Sequence, residues 1–85
     1  MATMTTTKYS SMSIREVAQE IKADWKKVNY AAKPYLDAMH SLESINDNYY
    51  LDTGKSIVLY FLSNANTWRG EVARVIKAEL KNRTQ

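Results

Sequence analysis

Three short stretches of this chain carry residue types that could do chemistry. Asp52-Thr53-Gly54 matches the triplet of aspartic proteases, and Gly54-Lys55-Ser56 matches the end of a phosphate-binding loop. The first needs its carboxylate in a loop of an all-β dimer, where two such groups meet and share a proton. The second needs a glycine five residues before Gly54, and that position is Tyr49, whose side chain would obstruct a backbone cradle for phosphate. Both patterns are better read as the start of a helix, with Asp52 or Thr53 as its cap. Asn46-Asp47-Asn48 with Asp52 gathers oxygens that a hard cation favours, but the glycine and closing glutamate of a calcium loop are missing, and a turn is the better account. His40, the only histidine, has Asp37 one helical turn before it and Glu43 one turn after. That spacing could orient an imidazole for proton transfer. With no cysteine, no second histidine and no serine marked out, it reads instead as a solvated polar row on the outside of a helix. No catalytic residue, metal site or cofactor is expected.

What remains is binding chemistry. Charge is unevenly spread: residues 1–33 carry net +3, residues 34–54 net −4 with no lysine or arginine, and residues 55–85 net +4. The acidic island holds Glu43, Asp47 and Asp52 together with the adjacent Tyr49 and Tyr50, in a connector where backbone pairing does not explain the side chains. Tyrosine on an exposed loop offers a large contact area at low entropic cost. These five residues are therefore the candidate partner-binding surface, the alternative being that the tyrosines plug one end of the fold. Two basic rows form a second candidate. Arg15, Lys22 and Lys26 share a face of one predicted helix, and Arg74, Lys77 and Lys81 share a face of another, which is the electrostatic footprint of nucleic-acid binding. Glu16, Glu20, Asp24, Glu71 and Glu79, interleaved on the same helices, favour an ordinary solvated face.

The elements that would position these groups are helices. Met12-Ser13-Ile14-Arg15-Glu16-Val17 is a capping box with a hydrophobic staple: Ser13 caps Glu16, the Glu16 carboxylate reaches back, and Met12 packs on Val17. Ile14, Val17, Ala18, Ile21, Trp25 and Val28 then recur at helical spacing. Pro34 suits the first position of a second helix that buries Met39, Leu42 and Ile45. The run Ile57 to Leu62 is apolar nearly all round, so the third helix should be the most buried. Trp68, Val72, Ile76 and Leu80 form the seam of a fourth, capped by Thr67. The expected fold is all-α, a compact four-helix domain with helices at about 13–28, 34–45, 53–65 and 68–82. Residues 1–10 read as a disordered tail and 11–83 as the single domain. A short chain of this kind buries only about 60% of its unfolded surface, which leaves little spare stability for a deep catalytic cavity.

The absence of cysteine excludes a disulfide framework, and the longest apolar run is far short of the roughly 20 residues that span a bilayer. No secretory plan follows Lys8, so the expected location is the cytoplasm, with no membrane partner.

The stretch Ser44-Ile45-Asn46-Asp47-Asn48-Tyr49-Tyr50 through Thr67-Trp68-Arg69-Gly70-Glu71 resembles short helical proteins of unassigned function carried by phages and bacterial mobile elements. The likeness runs over residues 13–82 in style and over that stretch in detail. It implies a small accessory protein in a bacterial host cell, a class that includes anti-CRISPR and other inhibitors of host defence. Such proteins act mostly by occupying a partner's surface. The expected partner is then a host protein, for instance one whose basic groove otherwise holds nucleic acid. Direct DNA or RNA binding is the runner-up, and a homo-oligomer that covers the apolar surplus of the third helix is a further reading.

Overall fold

In a computed structural model, which describes residues 8–85, Ser13 opens α1 (Ile14–Asp24) with the expected box. The Glu16 N–H donates to Ser13 Oγ at 3.1 Å, and the Ser13 N–H donates to Glu16 Oε1 at 2.8 Å. These bonds hold the Glu16 carboxyl below its ordinary pKa, the backbone bond contributing most. Ile14, Val17, Ala18 and Ile21 are buried along one stripe, and Met12 packs against the same core. The helix ends four residues before the expected Val28. Trp25 leaves helical geometry at φ −91° and ψ 88° and stacks on Trp68, with ring centroids 5.8 Å apart and planes 11° from parallel. The Trp68 indole N–H donates to Asp24 Oδ2 at 2.8 Å, so the helix end is fixed by a residue 44 positions away.

Helix α2 (Lys33–Met39) places Pro34 in its first turn, as expected, but stops well short of Ile45. The next three residues close tight turns, with Ser41 N–H to Ala38 O at 3.0 Å and Leu42 N–H to Met39 O at 3.1 Å. Two demands explain the stop. The first free N–H groups of α1 take their acceptors here, Ile14 N–H from Glu43 O at 3.0 Å and Arg15 N–H from Leu42 O at 2.8 Å. A continued helix would have spent the Leu42 carbonyl on Asn46. The Asp47 carboxylate also accepts the N–H groups of Glu43 (2.8 Å) and Ser44 (3.1 Å), a local side-chain bond that competes with helix.

The connector that follows is not irregular. Strands β1 (Asn48–Tyr49) and β2 (Asp52–Thr53) pair antiparallel, Asn48 opposite Thr53 and Tyr49 opposite Asp52. The molecule is thus mostly helical, four helices and a two-stranded hairpin, rather than purely all-α. Such a hairpin is marginal alone; this one is held by Tyr49, which packs on the core, and by the continuation of β2 directly into the next helix.

Thr53 caps α3 (Gly54–Ser63) through its hydroxyl, which accepts from Ser56 N–H at 3.1 Å. Gly54 N–H meets Asp47 O at 2.6 Å, and a β-carbon at Gly54 would stand 2.8 Å from Ser44 O, so only glycine fits this approach. Ile57, Val58 and Phe61 are buried, but Leu59 and Tyr60 are 42% and 50% exposed, so the helix is not covered all round. Tyr60 pairs instead with Tyr35 of α2, ring centroids 5.4 Å apart. Helix α4 (Glu71–Arg83) begins three residues after the expected Trp68; Gly70 at φ 115° is its cap, and Thr67 is not. Trp68 is buried in the preceding connector beside Trp25 and Phe61. Val28, Leu62 and Val72, expected in the core, are half-buried at its edge.

The ordered domain is wider than 11–83 at both ends. Tyr9 belongs to the core at 7% exposure, and its carbonyl accepts from the Arg83 guanidinium at 2.7 Å while Glu79 holds the same guanidinium at 2.6 Å. Thr84 is also buried, its hydroxyl bonded to Lys81 O. The rest of the expected tail, residues 1–7, lies outside the described residues.

Candidate partner-binding hairpin

The five residues of the acidic island separate into two groups. Asp47 is structural: its carboxylate is aimed at the backbone of Glu43 and Ser44, and its carbonyl takes Gly54 N–H. Tyr49 is half-buried and packs against the core, so it is not a freely presented side chain. Tyr50, in contrast, is 88% exposed, touching only the edge of Tyr49 with ring centroids 4.8 Å apart and planes at 80°. Asp52 is exposed, and Glu43 is exposed but paired with Arg15 at 2.7 Å. A surface pair of this kind contributes little to stability and is exchangeable for a partner's cation.

Sequence reasoning missed Leu51. It is fully exposed beside Tyr50, and these two residues form the entire loop of the hairpin. Tyr50 has φ +57°, and it is the only non-glycine residue with positive φ among those described. Positive φ at the first central residue alone is the pattern of a type II′ turn, which ordinarily takes glycine there. A bulky aromatic side chain in that region costs on the order of 1–2 kcal/mol. The hairpin therefore holds two large apolar side chains in water, one of them on strained backbone, beside the exposed carboxylate of Asp52.

The basic rows do not assemble as the helical spacing suggested. Arg15 is paired with Glu43, and Arg74 with Glu71. Lys77 donates to Trp68 O and sits over the Trp68 ring, 5.8 Å from its centroid. Lys26 lies beyond the end of α1. Lys22, Lys26 and Lys81 are exposed, with no ion-pair partner among the described residues. The Asp37-His40-Glu43 row is not assembled either: Asp37 pairs with Lys33 at 3.4 Å, Glu43 turns to Arg15, and His40 Nε2 is buried without a hydrogen-bond partner rather than solvated. Among the described residues no three acidic or histidine side chains converge as a metal site, and no helix is long and apolar enough to cross a membrane.

Fold and site together give a small, mostly helical domain whose two-residue hairpin loop exposes Tyr50 and Leu51 beside Asp52. No protein-family model matches the chain, and neither a curated protein nor a solved structure shows significant similarity to it.

Proposed function

We propose that this chain is a non-catalytic protein-binding module that docks its β1–β2 hairpin on a partner. Tyr50 and Leu51 enter an apolar pocket, and Asp52 and Glu43 meet a basic rim. The observation that carries this reading is the loop itself, two large apolar side chains at 88% and 101% exposure, the first of them on backbone that favours glycine. Nothing inside the domain compensates that arrangement, whereas a partner's pocket would bury both side chains. Charge complementarity at the rim would add rate and specificity. The resemblance to phage and mobile-element accessory proteins makes a host-defence protein of a bacterial cytoplasm the proposed partner, blocked by occupation of its basic surface.

The test is capture from nuclease-treated bacterial lysate by the unaltered chain and by a Tyr50→Ala, Leu51→Ala variant. A protein retained by the first and released by the second, with unchanged circular dichroism, supports the hairpin. Retention by both removes it. Direct nucleic-acid binding is the second reading, favoured by the three unpaired lysines. Changing Lys22, Lys26 and Lys81 to Gln would then lower the salt slope of binding by about one unit per lost phosphate contact. Binding that is undetectable at low salt in the unaltered chain disposes of that reading.

A further inference from the structure

A groove of about 360 Å³ opens where the chain enters α4. It is lined by Trp68 and Ala73, both nearly buried, and by Arg69, Arg74 and Lys77 with the single acid Glu71. The volume is at the lower end of the range for ligand pockets, enough for one or two side chains. Lys77 is partly desolvated there and stands near Arg69, and burial first and the neighbouring guanidinium second pull its pKa down. Glu71 is engaged by Arg74, and Arg69 makes only a long contact of 3.5 Å to Asn66 O. The groove thus combines apolar side chains with two cations, Arg69 and Lys77, that have no ion-pair partner among the described residues, while Arg74 is held by Glu71.

We infer that this groove receives the β1–β2 hairpin of a second copy of the chain, in a head-to-tail contact. The two surfaces match in kind. The hairpin offers Tyr50 and Leu51 for the apolar side chains and Asp52 for Arg69; it belongs to the segment of net charge −4, and the groove to the segment of net charge +4. Because hairpin and groove are different patches, the contact is heterologous, and a pair keeps one free hairpin on one copy and one free groove on the other. Repetition gives an open chain or a ring rather than a closed two-fold dimer. The inference rests on the hairpin reading above, since the same loop is the occupant, and self-assembly and partner capture compete for it.

The contact is small and charge-assisted, so association is weak and sensitive to salt. Sedimentation velocity of the purified chain at about 50 mM salt should show the mean coefficient rising between about 10 µM and 1 mM, and falling back to the monomer value at about 500 mM salt, where the Debye length is a few ångströms. A groove variant, Arg69→Gln with Arg74→Gln, and a hairpin variant, Tyr50→Gly with Asp52→Lys, should each be weakened at least about tenfold. Mixed, they retain one intact groove and one intact hairpin, and should form a 1:1 complex that stops at two. As the chain has no cysteine, Leu51→Cys and Arg69→Cys in separate chains give a second readout. On oxidation the mixed disulfide should exceed both symmetric ones. A purified chain that stays monomeric to 1 mM at low salt overturns the inference and leaves partner capture untouched. Variants that assemble as the unaltered chain does, a mixture that forms no heterodimer, or symmetric disulfides in excess overturn it as well. Loss of lysate capture by the hairpin variant, with self-association absent, separates the two readings.

Discussion

Replacing Tyr50 by glycine removes a large side chain yet should leave the stability of the fold nearly unchanged. At φ +57° the native tyrosine sits in a backbone region that costs an L-residue about 1–2 kcal/mol, and glycine occupies it without penalty. Against that relief stand the extra unfolded-state entropy of glycine, about 0.5–1 kcal/mol, and the edge contact with Tyr49, about 0.5 kcal/mol for an exposed aromatic pair. The side chain is 88% exposed, so almost no burial is lost. The sum lies between about 0.5 kcal/mol of destabilisation and about 1 kcal/mol of stabilisation, or a melting temperature between about 2–4 °C lower and about 4–8 °C higher for a domain of this size. Thermal unfolding by circular dichroism measures it. The same variant should lose partner capture, because interface anchors carry binding energy without supporting the fold. A melting temperature lowered by more than about 4 °C would refute the reasoning, since it would mean that Tyr50 is held by contacts rather than presented.

The remaining predictions concern the scaffold. Phe61→Ala, at the centre of the Trp25, Trp68 and Phe61 cluster, should lower stability by about 3–5 kcal/mol in urea unfolding, and a loss under about 1 kcal/mol would contradict its place in the core. Gly54→Ala should cost about 1–3 kcal/mol, because the added carbon presses on the Ser44 carbonyl and the backbone there cannot yield cheaply; a neutral result would show that the hairpin is not clamped to that turn. The lowered pKa of Glu16 gives a contribution that is present above the ordinary carboxylate range and is lost as pH falls through the depressed folded-state value. An NMR titration of the Glu16 carboxyl should therefore place its midpoint below the ordinary glutamate range, and Ser13→Ala should return it toward that range.

What was legible in the sequence was local chemistry. The Ser13 box and the Thr53 cap each need only residues within one turn, and both form as read. The element ends that differ are set by distant partners: α1 stops because Asp24 and Trp25 engage Trp68, and α2 stops because Leu42 and Glu43 lend their carbonyls to α1. No periodicity within either helix carries that information. The start of α4 was misplaced because Trp68 fits the four-residue spacing of its seam, while the glycine that permits φ 115° stands two residues later. The hairpin escaped notice for a related reason. Two-residue loops announce themselves by Asn-Gly or Gly-X, and Tyr50-Leu51 is neither, so only the backbone reveals that Leu51 stands beside Tyr50 in water. The acidic residues share one segment of the sequence, but sequence distance could not separate the carboxylate of Asp47, turned onto backbone, from that of Asp52, which is exposed.

The most direct test of the hairpin as the binding surface is site-specific photo-cross-linking in nuclease-treated bacterial lysate. A photoreactive phenylalanine derivative incorporated in place of Leu51 is compared with the same group in place of Lys22 on α1. The account predicts a discrete protein adduct from position 51, absent from position 22, and abolished when Tyr50→Gly and Asp52→Lys are introduced beside the probe. An adduct at position 22 with none at position 51 would contradict it.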